Sequence, residues 1–466
     1  MTDSFVDDGG RRWWIWIALV AVAATVIRVA YVLGVSRHLD LGADATWYYL
    51  QRGTIHDGTG YVDPSTFYSS GKAVATGNFP PVYPAFLAAV RVLGDSVTRA
   101  MLAGAPMGGV TVVLTALIAR RLADRRVAVV AAVIVAVAPV LVAADGSLMS
   151  EVVYTPLVAL AVLMALEAGA EGGWWRWGVL GVAVGLAALT RQEAVMLLVL
   201  LVAPILWWSE LPVRRRLAGV MAAGLVAVLV VAPWVARNQR AVGEAAISTV
   251  SPATALAGSN CDATYYGRSI GSWEYRCTRA EARSAMSEAE WDAENRRGAL
   301  AYARSHASRL AVVLPARELR VWGLWSPSDL VRRDAVETRS EGFQWAVWVA
   351  GSITLVGGVA GIWMLRVRGR RVVVLLGPIA MVGATAMISH GNPRFRTVAE
   401  PMLAIGLAFL IVRVVGTRGA RSGASTRTED VPLAVEVAAG GGPGVHAARP
   451  ARASLSMTCS STSLRG

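Results

Sequence analysis

The stretch LGADATWYY, residues 41–49, sets one carboxylate, Asp44, directly after a long apolar run and four residues ahead of Tyr48. A helix over 43–56 would put Asp44, Tyr48, Gln51 and Ile55 on one face. A lone acid walled by Trp47 and Tyr48 suits a general base acting on a hydroxyl. It also suits a helix N-cap, because Asp44 follows Gly42 and precedes an amphipathic stretch. Spacing alone favours the cap. Other ionisable groups recur at the ends of apolar runs: Asp145, Glu151, Arg191, Glu193, Arg237, His390, Arg394, Arg396 and Glu400. Arg28 lies about 22 Å up the first run at helical rise and reaches the same level. Charged groups at membrane depth are costly and mark functional candidates. A cluster of both signs suits a cavity for a charged substrate, whereas snorkelling accounts equally well for Arg28 or Arg237 taken singly.

These residues need a membrane scaffold. Of 466 residues 55% are hydrophobic and only 17% charged, and mean hydropathy is +0.49. Soluble domains need a more polar surface. The net charge of +13 does not point to nucleic acid, because most arginine clusters lie in short loops beside apolar spans, where the positive-inside rule places them. The expected fold class is an all-α polytopic membrane protein with about ten transmembrane helices. The expected spans are 12–35, 98–119, 127–144, 150–168, 177–190, 193–208, 217–235, 344–365, 372–389 and 397–415. The apolar run 13–35 is too long for a cleaved signal and carries Arg28. The stretch PPVYPAFLAAVRVLG, 80–94, falls short of the roughly 20 residues a span needs. It is expected as a juxtamembrane helix on the outer face. The short spans near 177–208 meet at LTRQEA, and broken apolar segments often build sites.

The resulting organisation is an N-terminal transmembrane module, 1–235, with a catalytic first outer loop, 36–97. An extracytoplasmic region, 236–343, C-terminal transmembrane helices, 344–415, and a disordered cytoplasmic tail, 416–466, follow. Both termini are expected in the cytoplasm of a plasma-membrane protein. Cys261 and Cys277 fall outside, where a disulfide is allowed; two unpaired thiols are the alternative. No CxxC or Cys/His ligand spacing occurs, so no zinc site is expected. The stretch from Arg279 to Leu314 reads as helical, and Cys459, in the tail, has no assigned role.

The pieces GADATWYY, PPVYPAFLAAVRVLG, LMSEVVY (148–154), LTRQEA (189–194), APWVARN (232–238) and NPRFRTVAEP (392–401) occur in this order. So arranged, the sequence resembles the C-type superfamily of polytopic glycosyltransferases, which includes protein O-mannosyltransferases and bacterial aminoarabinose transferases. The resemblance extends to about residue 415. It implies a polyprenyl-phosphate sugar as donor and a glycan, lipid or protein as acceptor. It makes Asp44 the catalytic base and Glu151 the second outer acid, with Asp145 the runner-up. Arg394 matches the arginine of an RYR-P-like motif, although Phe395 replaces the tyrosine and the proline is displaced to Pro401. The lysine that contacts the lipid phosphate in the aminoarabinose branch is replaced by Phe79, so this role is vacant or passes to Arg394 or Arg396. Tyr48, Tyr83, Arg191, Glu193 and His390 complete the expected substrate-binding set. No DxD pair surrounds Asp44, so no obligate metal or other cofactor is expected, with Mn²⁺ or Mg²⁺ left open. The rival reading is a transporter or lipid-linked sugar flippase, which should show internal repeats and midplane charges; neither is clear here. A structural or assembly protein with no chemistry fits the outer loop but not the ordered motifs.

Overall fold

The computed structural model describes residues 4–278 and 286–425, with side chains described for 10–278 and 286–415. Every expected span is helical. By length and composition six helices among the described residues can cross a membrane, or seven if the bent pair Arg125–Val137 and Pro139–Asp145 is one span. The helices Trp174–Ala188 and Leu197–Trp208 are shorter, which leaves the count of ten open. By contact density, residues 1–416 form one unit and 417–466 another. Of the second, only the helix up to Ser425 is described. The expected disorder of the tail, and Cys459, lie outside the described residues.

Local chemistry explains the breaks. Asp124 accepts from the backbone N–H of Arg126 and Val127 at 2.9 and 3.0 Å. This N-cap restarts the chain directly after Arg120 and Arg121. Pro139 cannot donate a helical hydrogen bond, and the span bends by 54° there. The freed carbonyls are met by Arg28 from the first helix, which donates to Ala136 at 3.0 Å and Val135 at 3.5 Å. Its Nε also holds Asp145 at 2.5 Å. Arg28 is fully buried, so it is a structural clamp rather than a snorkelling group. Gly108 leaves the space, since a Cβ there would lie 1.9 Å from the Arg28 Nε.

The stretch 80–94 forms a helix Val82–Val90 with a further turn to Leu93, too short to span. It packs against the helix Ala43–His56. Arg91 reaches Asp57 and Asp95, each at 2.7 Å, and Arg52 reaches Asp95 at 2.6 Å. In a Cys459→Ser background, Leu93→Cys should label only from outside and Arg126→Cys only from inside. The reverse pattern would invert every later loop.

The region 236–343 is tied to the segment 36–97. Glu288 accepts from the Thr76 hydroxyl and the Gly77 N–H, each at 2.7 Å. Arg237 donates to the carbonyls of Thr76 and Tyr61 at 2.5 Å. Helix Glu288–Ser305 starts at a Ser287/Glu290 capping box. The stretch expected to be helical to Leu314 is helical where described, with a break after Ser305. There the Ser305 hydroxyl turns back on the Tyr302 carbonyl, and the His306 ring packs 3.0 Å from it. Residues 279–285 of that expected helix lie outside the described residues.

Cys261 and Cys277 form a disulfide with a Cα–Cα distance of 6.3 Å. Cys261→Ser/Cys277→Ser should lower the stability of this region by about 3 kcal/mol in the chain-entropy model. Limited proteolysis of the region 236–343, with and without reductant, measures this. Equal resistance in both would mean the bond contributes nothing.

Candidate active site

Asp44 lies in the first turn of the helix Ala43–His56, and Gly42, not Asp44, is the N-cap. The capping alternative therefore fails: the carboxylate is free to face Arg394. Arg394 Nη1 and Nη2 each lie 3.3 Å from Asp44 Oδ2. The Arg394 Nε lies 2.9 Å from Glu151, and its Nη1 lies 3.2 Å from Glu337. Arg191 completes the group, reaching Glu151 at 2.9 Å and Glu193 at 2.5 Å. Thus Asp44, Glu151, Arg191, Glu193 and Arg394, expected separately from sequence, converge on one ion network. Asp44 is its most open member, with 31% side-chain exposure against 2% for Glu151.

The elements explain the placement. Glu151 opens a long apolar helix, where its charge suits the N-terminal dipole. Arg191 sits between the two short helices, extended, with φ −149° and ψ 120°. Arg394 enters a short 3₁₀ turn, Pro393–Val398, started by Asn392, whose side chain accepts from the Arg394 N–H.

Glu337 joins the network without being marked by the sequence pattern. It sits between the helices Pro327–Ala335 and Glu341–Leu365. Its neighbour Thr338 has φ +61°, a rare conformation for a β-branched residue. The Thr338 hydroxyl accepts from the Gly42 N–H at 2.9 Å. Gly42 fits because a Cβ there would lie 2.7 Å from the Val336 carbonyl. Burial pushes the Glu337 carboxyl up, Arg394 pulls it down and Asp44 pushes it up again, for a net rise. The only local signal for Glu337 was an acid shortly before an apolar span.

The remaining expected residues fall around this network. Tyr48 and Tyr83 are buried, with ring centroids 4.9 Å apart and planes near perpendicular. Phe79 packs on Tyr48 and Trp47 at 4.9 and 4.8 Å. They form an aromatic wall beneath Asp44. His390 lies beside Phe395, centroids 5.0 Å apart. Burial, then Arg394, Arg317 and Arg191, push its pKa down to about 3, so the ring is neutral at physiological pH. Arg396 does not join the cluster. It is buried, paired with Glu400 at 2.6 Å and bonded to the carbonyls of Gly351 and Trp322 at 2.7 and 3.2 Å.

Several buried polar atoms here lack hydrogen-bond partners: Glu151 Oε2, and Arg339 Nε and Nη2. Such atoms call for water or a polar ligand. Beside Arg339 and Gln344 lies a cavity of about 30 Å³, room for one or two waters. Among the described residues no group of three His, Cys, Asp or Glu is placed to hold a metal. The arrangement offers a partly open carboxylate, two arginines and an aromatic wall.

Residues 78–236 match the model of the dolichyl-phosphate-mannose-protein mannosyltransferase family. That window contains the helix Val82–Val90, Glu151, Arg191 and Glu193, but neither Asp44 nor Arg394. The fold is shared with the archaeal oligosaccharyltransferase AglB from Archaeoglobus fulgidus in complex with an inhibitory peptide and a dolichol-phosphate. Identity is 14% over 90% of this chain and 53% of that one, with a TM-score of 0.50. The same enzyme tethered to an acceptor peptide gives a TM-score of 0.51 at 16% identity, over 89% of this chain and 52% of that one. ArnT from Cupriavidus metallidurans bound to undecaprenyl phosphate gives 0.42 at 16% identity, over 90% and 82%. The chain spans about half the length of the oligosaccharyltransferase structures. No curated protein matches it in sequence. The family match and the shared fold bear out the resemblance to the C-type superfamily of polytopic membrane glycosyltransferases.

Proposed function

We propose that this chain is a membrane glycosyltransferase that moves a mannose- or arabinose-type sugar from a polyprenyl-phosphate donor to an acceptor hydroxyl on the extracytoplasmic side of the plasma membrane. One observation carries this reading: Arg394, from the last outer segment, touches both Asp44 of the first outer loop and Glu151 of the family-matched region. An acid and a guanidinium facing one space suit displacement at an anomeric carbon. The acceptor oxygen attacks that carbon, its proton passes to Asp44, and the bond to phosphate oxygen breaks on the opposite side, which inverts the centre. The leaving phosphate gains charge, and arginine meets such charge best. Arg394 and Arg191 are the arginines placed for it, and Glu151 with Glu193 fixes their orientation. Both termini then lie in the cytoplasm.

A flippase would use similar charges to move the donor intact. Purified protein in vesicles with radiolabelled polyprenyl-phosphate sugar separates the two. Transfer of label to an acceptor or to water supports the enzyme; label that crosses the bilayer still attached to its lipid would refute it.

A further inference from the structure

The disulfide-bearing stretch 261–277 reaches toward the ion network through a path of rings. Tyr275 is 63% exposed, and its ring centroid lies 6.1 Å from that of Trp273. Trp273 lies 6.4 Å from His390, and His390 lies 5.0 Å from Phe395. The Arg191 guanidinium covers Phe395 at 5.3 Å and holds Glu151. Each step is within the contact range of aromatic and cation–π pairs. Trp273, His390 and Phe395 are neither fully buried nor fully exposed. Trp273 is fixed in place, its indole N–H donating to the Thr254 carbonyl at 3.0 Å. The His390 Nδ1 is engaged by Ser389 at 2.8 Å, while its Nε2 has no hydrogen-bond partner among the described residues. A belt that only anchors the protein at a membrane interface places its rings around the rim. These rings run inward, from an exposed tyrosine to an arginine of the site, and one of them is polar.

A pyranose or furanose ring has C–H groups on one face, which pack on aromatic planes, and hydroxyls at its edge, which need hydrogen bonds. We infer that this path is the acceptor subsite and that its acceptor is a glycan chain, with a sugar face packed on Trp273 and a hydroxyl held by the His390 Nε2. This rests on the glycosyltransferase reading and names the acceptor class for the same site. In the transfer, the terminal hydroxyl of the glycan forms the new bond to the donor's anomeric carbon and gives its proton to Asp44. The electron pair of the broken bond leaves with the phosphate.

The test uses the full-length protein in nanodiscs, a radiolabelled polyprenyl-phosphate sugar, and four acceptors: an α-linked mannotriose, an α-linked arabinotriose, a Ser/Thr-rich peptide and diacylglycerol. The expected result is transfer to at least one trisaccharide. In Trp273→Ala the KM for that trisaccharide should rise about tenfold, with kcat and donor affinity changed less than about twofold. Trp273→Phe should recover most of the loss, since a ring face is restored. Transfer to peptide or diacylglycerol alone would overturn the glycan assignment. So would a Trp273→Ala variant that binds donor about tenfold more weakly, which marks a structural role. Sugar released to water but to none of the four acceptors also overturns it while sparing the transferase reading. No release from the donor at all refutes that reading first.

Discussion

Asp44→Asn should slow transfer by about 10²–10⁴-fold, the usual contribution of a positioned acid or base, and leave the protein folded. The asparagine keeps the shape of the side chain but cannot take a proton from the acceptor. Little stability rides on the carboxylate. It caps no helix, and its contacts to Arg394 are long, at 3.3 Å. At nearly a third exposure, solvent screens that pair, so its loss costs about 0–1 kcal/mol. Arg394 keeps Glu151 and Glu337. The measurement is single-turnover transfer at saturating donor, alongside the unfolding temperature. Turnover within about threefold of the parent protein would sink the base assignment, since no other carboxylate in the network is as open. Loss of activity together with several degrees of unfolding temperature would instead make Asp44 a structural residue.

The network shows which parts of the site the sequence carries. Asp44, Glu151, Arg191 and Arg394 are legible because each is an ionisable residue at the end of an apolar run, where charge needs a reason. Their convergence is not legible, because it depends on contacts between residues up to 350 positions apart. Glu337 illustrates this. Its position depends on the Thr338 backbone and on the bond from Gly42, 296 residues away, and neither leaves a local pattern. Arg28 and Arg396 show the converse. Each is an arginine near the end of an apolar run, as Arg394 is. Arg28 is taken up by the carbonyls that a proline frees, and Arg396 by two backbone carbonyls and Glu400. Residue type and depth cannot separate an arginine that satisfies its own scaffold from one that faces a ligand. Span boundaries were easier to read, because apolar length and flanking arginines are local. The bent span at Pro139 and the short pair meeting at Arg191 blur their number.

Arg394→Ala should be the most damaging single change in the site, for two separable reasons. It removes the guanidinium that touches Asp44, Glu151 and Glu337 together. Breaking a buried pair by deleting one partner typically costs about 3–5 kcal/mol, because the other charge is left unpaired. Arg191 still holds Glu151, which sets the expectation at the lower end. Donor affinity should fall as well, by about 1.5–3 kcal/mol for a lost charge-assisted contact. Arg394→Lys restores a positive charge but not a planar fork. One ammonium cannot serve three carboxylates and a phosphate in the same geometry, so it should recover stability more fully than donor binding. Arg396 is the internal comparison. Its nitrogens go to Glu400 and to the carbonyls of Trp322 and Gly351, so Arg396→Ala should lower the unfolding temperature while the folded fraction binds donor normally. Polyprenyl-phosphate affinity and unfolding temperature, measured on the same three variants, tell the roles apart. Full donor affinity in Arg394→Lys would reduce that arginine to a counter-ion for the carboxylates. Equal losses of affinity at Arg394 and Arg396 would mean that donor binding reports only the integrity of the turn Pro393–Val398. A selective loss at Arg394, incompletely repaired by lysine, is what a phosphate contact there requires.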